Sequence, residues 1–507
     1  SAIASALKAQ EPGLTQKDIT TAVSSAVEAA LDVRELSADQ MARAVSATAP
    51  IVVNENGKHG GTLHLADYVF PNLDFAPYTI QGTLLKNVAP IMGGGLIEFN
   101  GETEDVWDIR GDLADSWIVS DDLSKYVFKL NKGATWHDGT PVTADDVVWS
   151  FDLLMEPDPA IRPNHNLLET YLPQGSAKAI GPNAVQLSLD LASAEFLPIL
   201  AMSHHYIHQQ AHTEAIEAEG GDFTWGNQMG SGPFTAGEKK NDVSIELLRN
   251  ENYWKDGLPY VDKIISYTLP EGPSMLAAYA TGQVHANSFH MGATPFSNTE
   301  AVDLVNEHPD DLNIKFLTPF GPVGLIMSVQ APFDDVRMRQ AYNLAFDRHE
   351  FVEVFGAGPG SDQAAPFFGA DTYFGFSTAE LLEMPGFRRG PDGEKHPDDI
   401  AEAKRLIASW EADHPDGFTN TVGTDTYTYT PGQPHSFTTM TRISGNKVAW
   451  AELAMEQLNR FLDFDATLIP IDSASGIDRY NARTGPTGSG DYFMAGQDLG
   501  MMMLPNS

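Results

Sequence analysis

The sequence predicts an α/β protein with more than one domain and mixed sheets. The chain has 507 residues, which is longer than a single hydrophobic core usually accommodates. Its 42% hydrophobic, 10% aromatic and 20% charged residues are typical of a globular chain. Strand-like and helix-like segments follow one another in a mixed order, which favours α/β domains over an all-helical or all-strand architecture.

The chain is predicted to begin with an N-terminal extension and linker over residues 1–58. Residues 17–31 and 37–45 resemble weakly amphipathic helices. A polar, glycine-rich stretch at 54–61 separates them from residues 62–66, where apolar and polar residues alternate as in a strand. We therefore expect the main fold to begin near residue 60.

A hairpin and a helix start are predicted next. Residues 116–120 and 125–130 read as paired strands around the acidic turn 121–124. Asp138-Gly139 predicts a tight turn, because glycine adopts a positive φ without steric cost. Thr143 is the expected N-cap of the helix that follows, with acidic residues in its first turn.

The second half of the chain contains three further helix signals. Asp334-Asp335 is expected to cap a helix that runs to Phe346, and Asp347 a second helix from His349 onward. Residues 397–399 open a helix to about residue 411 whose apolar residues recur at helical spacing. Another helix is predicted over 448–461.

Composition excludes several function classes. Lys and Arg number 31 against 69 Asp and Glu, a net charge of −38, which argues against nucleic acid as a partner. The acidity fits solubility or adaptation to a saline environment, or alternatively a site for cationic ligands. The absence of cysteine excludes disulfides, thiol catalysis, zinc ribbons and iron–sulfur clusters.

Three groups of residues resemble the peptide/nickel class (family 5) of extracellular solute-binding proteins of ABC transporters, which includes oligopeptide- and dipeptide-binding proteins. The first is the strand, turn and helix start at 126–147. The second combines Gly230-Ser231-Gly232-Pro233-Phe234 with residues 248–259 and 278–284. The third runs from 332 to 348. Together the similarity covers roughly residues 60–500.

The resemblance implies a two-lobed, three-domain periplasmic-binding-protein fold with mixed sheets and a hinged ligand cleft. Domain I would take residues 59–98 and 204–288, domain II residues 99–203, and domain III residues 289–507. Relatives continue past this point and return to domain I, so we expect the sequence to be truncated at Ser507. Ligand would be captured by closure of the lobes.

The implied function is that of the substrate-binding subunit of an ABC importer for peptides or similar polar solutes, with no enzymatic activity and no cofactor. Its partners would be the ligand and the membrane permease subunits, and the protein would be a monomer. It would be periplasmic or otherwise extracytoplasmic, exported with its signal removed. The alternatives are a binding protein for a metal complex such as nickel, and a hydrolase.

The resemblance also implies which residues contact the ligand. By position, a loop near the start of domain I and a strand of domain III would form two walls that pair with an extended ligand. Asp498 is the candidate partner of a ligand amine, although relatives have a Gly-Trp pair followed by Asp where this chain has Ala495-Gly496-Gln497-Asp498. The expected ligand-binding residues are Gln81, Gly82, Thr83, Phe289, His290, Phe493, Met494, Ala495, Gly496, Gln497 and Asp498.

Other residues that suggest chemistry are interpreted as structural. His137 and Asp138 are adjacent in a turn and lack a positioned nucleophile, and Ser231 lacks the Gly-x-Ser-x-Gly elbow. Gly93-Gly94-Gly95 lacks a phosphate-binding spacing. Arg337 and Arg339 are expected in ion pairs at a helix start. The histidines at 204, 205, 208 and 212 are weighed as a helical metal site, but no metal ligand is assigned.

Overall fold

The computed structural model divides into two compact units. Unit 1 comprises residues 1–268 and 286–290, and unit 2 comprises residues 269–285 and 291–507. The structure describes residues 46–47, 57–67, 85–100, 108–156, 168–202, 205–287, 296, 298–314, 324–326, 332–355, 376–422, 425–442, 447–471 and 492–494.

Unit 1 contains twelve strands and four α-helices among its described residues. The strands are β1 (Ser46–Ala47), β2 (Thr62–Asp67), β3 (Ile97–Phe99), β4 (Ile109–Gly111), β5 (Ala114–Val119), β6 (Lys125–Leu130), β7 (Ala177–Gly181), β8 (Ala184–Ser188), β9 (Phe234–Lys240), β10 (Ser244–Arg249), β11 (Lys263–Thr268) and β12 (Ala286–Asn287). The helices are α1 (Leu85–Met92), α2 (Ala144–Leu154), α3 (Phe196–Leu200) and α4 (Gln210–Ala218).

The first large sheet of unit 1 is antiparallel, in the order β1-β5-β6-β8-β7. Its centre is the predicted hairpin, in which Val119 lies opposite Tyr126. The Asp122 carboxylate closes the turn by accepting hydrogen bonds from the Ser120 and Ser124 hydroxyls at 2.6 and 2.8 Å. These bonds lower the pKa of Asp122 to about 2. The hairpin prediction is confirmed.

The second sheet of unit 1 is mixed, in the order β12-β2-β11-β10-β9. β2 runs parallel to both β11 and β12, whereas β10 runs antiparallel to both β11 and β9. Apolar side chains of this sheet pack with α1 and Trp225 in one buried cluster. The predicted first strand and the mixed sheets are both present.

The predicted turn and helix start also form as expected. Gly139 has φ +82°, and the Asp138 carboxylate accepts from the Thr140 backbone N–H at 2.9 Å. Thr143 is the N-cap of α2. The Asp146 carboxylate accepts a hydrogen bond from the Thr143 backbone N–H at 3.0 Å, which completes a capping box. The two motifs fix the path of the chain from β6 into α2.

Unit 2 contains seven α-helices and six strands among its described residues. The helices are α5 (Gly272–Ala280), α6 (Asn298–Glu307), α7 (Val336–Ala345), α8 (Arg348–Phe355), α9 (Thr378–Glu383), α10 (Pro397–Ala412) and α11 (Lys447–Leu462). The strands are β13 (Gly324–Ile326), β14 (Phe418–Val422), β15 (Asp425–Tyr429), β16 (Ser436–Arg442), β17 (Asp465–Ile471) and β18 (Tyr492–Met494).

The core of unit 2 lies among α7, α10, α11 and the aromatic residues of β15. The helix predictions are confirmed: Asp335 caps α7, and the Asp347 carboxylate accepts from the backbone N–H groups of His349 and Glu350 at the start of α8. The two arginines differ, because Arg337 pairs with Asp335 at 2.7 Å while Arg339 donates to the carbonyl oxygens of Phe333 and Asp334.

The predicted helices at 17–31 and 37–45 lie outside the described residues. Near them, Ser46–Ala47 forms β1 and pairs antiparallel with Trp117 and Ser116 of β5. Of the helices that the structure describes, none has both the length and the apolar composition needed to span a membrane. The three-domain boundaries stay a prediction.

Candidate functional site

The parallel strands of unit 1 bring three chain segments to one edge of the mixed sheet. β2 lies between β11 and β12, and all three run in the same direction. Their last residues, Asp67, Thr268 and Asn287, therefore lie at the same edge. In open α/β sheets, ligands bind outside the carboxyl ends of the strands where neighbouring connections diverge. This carboxyl edge is the candidate site of unit 1.

Asp67 is the acidic residue of this edge and was not singled out in the sequence. It ends the central parallel strand and is only 4% exposed. A carboxylate at that depth is costly unless it meets a donor or a cation. In the sequence, the indication for Asp67 was an acidic residue at the end of an alternating strand. The same pattern occurs at many strand ends that are exposed to solvent.

All five predicted ligand-binding residues of unit 1 lie outside the described residues. Phe289 and His290 come two and three positions after the end of β12 in sequence. Gln81, Gly82 and Thr83 lie between β2 and α1 in sequence. The structure does not test the role of these five residues.

In unit 2 the structure describes two of the predicted ligand-binding residues. Phe493 and Met494 belong to β18, where they lie opposite Leu325 and Gly324 of β13. β16 also lies beside β18. Residues Ala495, Gly496, Gln497 and Asp498 fall outside the described part of the chain. Sequence reasoning did not identify β13 as the partner of this strand.

The signature segments of unit 1 converge on one loop. The backbone N–H groups of Ser231 and Gly232 donate to the carbonyl oxygens of Met92 and Ile91, at the end of α1. His137, from the turn before α2, donates its backbone N–H to the Gly230 oxygen at 3.0 Å. The loop at 230–233 thus joins the helix start to the mixed sheet.

Two side chains of the following signature segment bind the same loop. The Trp254 indole N–H donates to the Ser231 carbonyl oxygen at 3.1 Å, and the Asn250 amide donates to the Gly232 oxygen at 3.1 Å. The Ser231 hydroxyl is buried and donates to the Met92 oxygen at 3.3 Å. These residues build a rigid junction, in agreement with their interpretation as structural.

A buried group of charges lies beside this junction. Lys255 Nζ is 2.5 Å from Asp112 Oδ1 and 4.0 Å from Glu98 Oε1. Arg110 pairs with Glu98 at 2.7 Å across the β3–β4 ladder. Burial, and then the Asp112 charge, raises the pKa of Glu98, against the lowering effect of Lys255 and Arg110. The two carboxylates and two cations balance one another.

The glycines at 93–95 serve this packing. A Cβ at Gly94 would lie 1.5 Å from Asp112 Oδ2, and a Cβ at Gly95 would lie 2.9 Å from the His205 carbonyl oxygen. Gly93 has φ +84°. The run therefore allows the ion pair and the junction to approach the backbone closely.

The histidine cluster does not form the helical metal site that was weighed. α4 begins at Gln210, so His205 and His208 precede the helix and do not share a face with His212. His204 lies outside the described residues. His212 Nε2 bonds the Asn227 carbonyl oxygen at 2.8 Å. Within the described ranges no three His, Asp or Glu side chains are placed to hold a metal ion.

Acidification is expected to destabilise unit 1 through His208. Burial lowers the pKa of His208 to about 4 from an ordinary value of 6.5, so the unfolded chain binds this proton first. Burial of the neutral His208 contributes its full stabilisation to the folded state above pH 6.5. This contribution is lost as pH falls toward 4, and the loss in the free energy of unfolding reaches about 3 kcal/mol. His208→Asn should flatten the dependence of unfolding free energy on pH, measured by urea denaturation. An unchanged slope over this range would contradict the assignment.

The described residues of unit 2 include an arrangement that resembles a catalytic relay. His435 lies between the Tyr427 hydroxyl, 2.6 Å from Nδ1, and Glu411, whose Oε1 is 3.1 Å from Nε2. The Tyr427 side chain is 1% exposed, and burial raises its pKa. A hydroxyl that is neither accessible nor activated cannot attack a substrate, so this set packs β15 and β16 against α10.

Comparison with known proteins places the chain in a family. The family model for bacterial extracellular solute-binding proteins, family 5 middle, matches residues 108–504. Heme-binding protein A of Haemophilus influenzae is 28% identical over 367 residues, which cover 68% of this chain and 61% of that protein. Glutathione-binding protein GsiB of Salmonella choleraesuis is 25% identical over 356 residues, covering 70% and 61%. The matches thus span about three fifths of these relatives.

A solved structure shares the fold. Haemophilus influenzae OppA in complex with RPPGFSPFR superimposes with a TM-score of 0.65 at 19% identity, covering 85% of this chain and 79% of that one. The fold class predicted from the sequence is therefore confirmed. With the family match over 108–504, the chain belongs to the bacterial extracellular solute-binding proteins, family 5.

Proposed function

We propose that the chain is the substrate-binding subunit of an ABC importer that captures peptides or similar polar solutes and delivers them to membrane permease subunits. The observation that carries this proposal is the family match over residues 108–504. Capture by lobe closure, action as a monomer and an extracytoplasmic location are parts of the same proposal. Closure follows if ligand contacts both lobes only in the closed state.

Peptide-like solutes are the favoured ligand class. One relative is named for binding glutathione, which is a tripeptide, and another for binding heme. Both ligands carry carboxylates and are larger than a single amino acid. A peptide offers main-chain groups that a strand can pair with independently of side-chain identity, which fits the predicted ligand walls.

The position of β18 refines the proposed wall in unit 2. The backbone at Phe493 and Met494 is already paired with β13, and β16 lies beside the same strand. We therefore assign the ligand's main-chain contacts to the residues that follow β18, namely Ala495, Gly496 and Gln497. In unit 1 we propose that the ligand wall consists of Gln81, Gly82 and Thr83 together with the carboxyl edge that includes Asp67.

A binding role is favoured over the two alternatives. Tyr427 and His435 of the Glu411–His435–Tyr427 set are buried, which argues against hydrolysis at that position. The described histidines of the 204–212 cluster do not converge, which removes the main support for a metal complex as ligand.

The direct test is to identify what the protein carries. The protein is purified without refolding, denatured and its released small molecules are analysed by mass spectrometry. A peptide or peptide-like solute in near-stoichiometric amount supports the proposal. Release of a metal chelate, or reproducible cleavage of a peptide library by the intact protein, would replace it with the corresponding alternative.

Gly496→Val is expected to weaken binding of every ligand severely. Glycine lets another backbone approach closely because it has no Cβ, and a branched side chain would block main-chain pairing. Asp498→Asn should weaken only ligands with a free amino group, because a charge-assisted contact contributes on the order of 1.5–3 kcal/mol, roughly ten- to a hundredfold in affinity.

Isothermal titration calorimetry with the identified peptide and its N-acetylated form separates these effects. Gly226→Val is the control, because a Cβ at Gly226 has no neighbour within 4 Å. Normal affinity in Gly496→Val would exclude the proposed wall after β18, while equal weakening of both peptides by Asp498→Asn would exclude an amine contact.

A further inference from the structure

The antiparallel sheet of unit 1 ends in two strands that differ in how their edges are protected. The order β1-β5-β6-β8-β7 places β7 at one end and β1, only two residues long, at the other. Without β1, the six-residue β5 would be the edge. An uncovered edge strand presents unpaired backbone groups on which another chain can add a strand.

The β7 edge carries its own protection. Lys178 and Ala179 are exposed, and the register with β8 shifts between Ala179 and Gly181. An exposed lysine and a bulge are two ways in which proteins prevent strand addition at an edge. This end of the sheet needs no cover.

The β5 edge lacks such protection where β1 covers it. β5 also has a register shift, between Ala114 and Ser116, but this shift comes before the stretch that β1 covers. The paired residues are Ser116 and Trp117, which carry no charge, and Trp117 and Ile118 are 3% exposed. The neighbouring Asp115 is held at 3.2 Å from Lys129 of β6. Over this stretch the cover is the backbone of Ser46–Ala47.

The covering strand comes from outside the part of the chain that defines the family. β1 lies at residues 46–47, whereas the family match begins at residue 108. The sequence predicts residues 1–58 to be an extension and linker, which gives no reason to expect a strand there. The contact thus involves residues that precede the family match.

We propose that Ser46–Ala47 docks on β5 by strand addition and keeps the chain monomeric by occupying an edge that would otherwise accept a strand from a second copy. The strand added from a second copy would be its β5, because two identical uncovered edges can pair antiparallel about a twofold axis. In this proposal Ser46–Ala47 protects the edge of β5.

The test uses the full chain with Ser46→Pro and Ala47→Pro together. Proline has no N–H and cannot donate to a ladder, so the double variant disrupts the pair whichever residue donates. Ala4→Pro with Ser5→Pro is the matched control, with the same residue types in the same extension. A chain that begins at Gly57 removes the segment altogether.

Hydrogen-exchange mass spectrometry of residues 114–119 and light scattering after size exclusion are the readouts. We expect amide exchange in β5 to rise at least tenfold in the double variant, with protection at β8 unchanged, and dimers to form at raised concentration in both the variant and the shortened chain. The control should remain monomeric with normal exchange. Unchanged exchange in β5, or a monomer despite lost protection, would overturn the proposal.

Discussion

Gly230→Ala is expected to destabilise unit 1 by about 3 kcal/mol or more, the upper range for overpacking. A Cβ at this position would lie 2.0 Å from the Ile91 carbonyl oxygen and 2.5 Å from the Met92 Cα. Both atoms belong to the backbone of α1, so no side chain can rotate away. The loop would have to move, which would break the bonds from Ser231 and Gly232 to the end of the helix.

The control for this substitution is Gly226→Ala. Gly226 has open space around its Cβ position, so the change should alter stability by less than about 0.5 kcal/mol, as at most surface positions. Urea denaturation followed by tryptophan fluorescence compares the two variants, since Trp136 and Trp225 are buried in unit 1. Equal midpoints for both variants would show that the loop can relax away from α1.

Local structure followed from the sequence because its causes are local. Thr143 and Asp146 are three residues apart and form a reciprocal cap with each other, so the motif carries its own geometry. The same holds for the turn at Asp138 and Gly139. The resemblance to a family then supplied the fold class, which short-range patterns alone do not specify.

The arrangement of the candidate site depended on contacts between distant parts of the chain. Nothing near Asp67 in sequence indicates that β11, about 200 residues later, will run parallel to β2. Because these strands are also far apart in sequence, the pairing of β18 with β13 and of β1 with β5 could not be predicted. The helical spacing weighed for the histidines does not apply to His205 and His208, because the helix begins only at Gln210.

Breaking the buried ion pair of unit 1 is the second change with a large expected effect. The Asp112 side chain is 5% exposed and Lys255 is 13% exposed, so Lys255→Met leaves a carboxylate without its counter-ion in a poorly solvated position. The expected cost is about 3–5 kcal/mol in the free energy of unfolding. Arg110 remains beside Glu98 but does not replace the contact to Asp112.

The pH dependence and a double-mutant cycle distinguish a lost charge pair from lost packing. Without Lys255, the Asp112 and Glu98 carboxylates repel each other with less compensation, and the pKa of Glu98, which burial and the Asp112 charge already raise, rises further. The cost is therefore full at neutral pH and shrinks as pH falls and Glu98 takes up a proton. Adding Asp112→Asn should recover much of the loss at neutral pH. Lys263→Met is the matched control, because Lys263 is 34% exposed in its 3.2 Å pair with Glu246 and such a pair contributes less than about 1 kcal/mol. A cost that does not change with pH and is not relieved by Asp112→Asn would mean that Lys255 stabilises the junction through its contact with Trp254, whose ring centroid lies 4.9 Å from the amine, and not through its pair with Asp112.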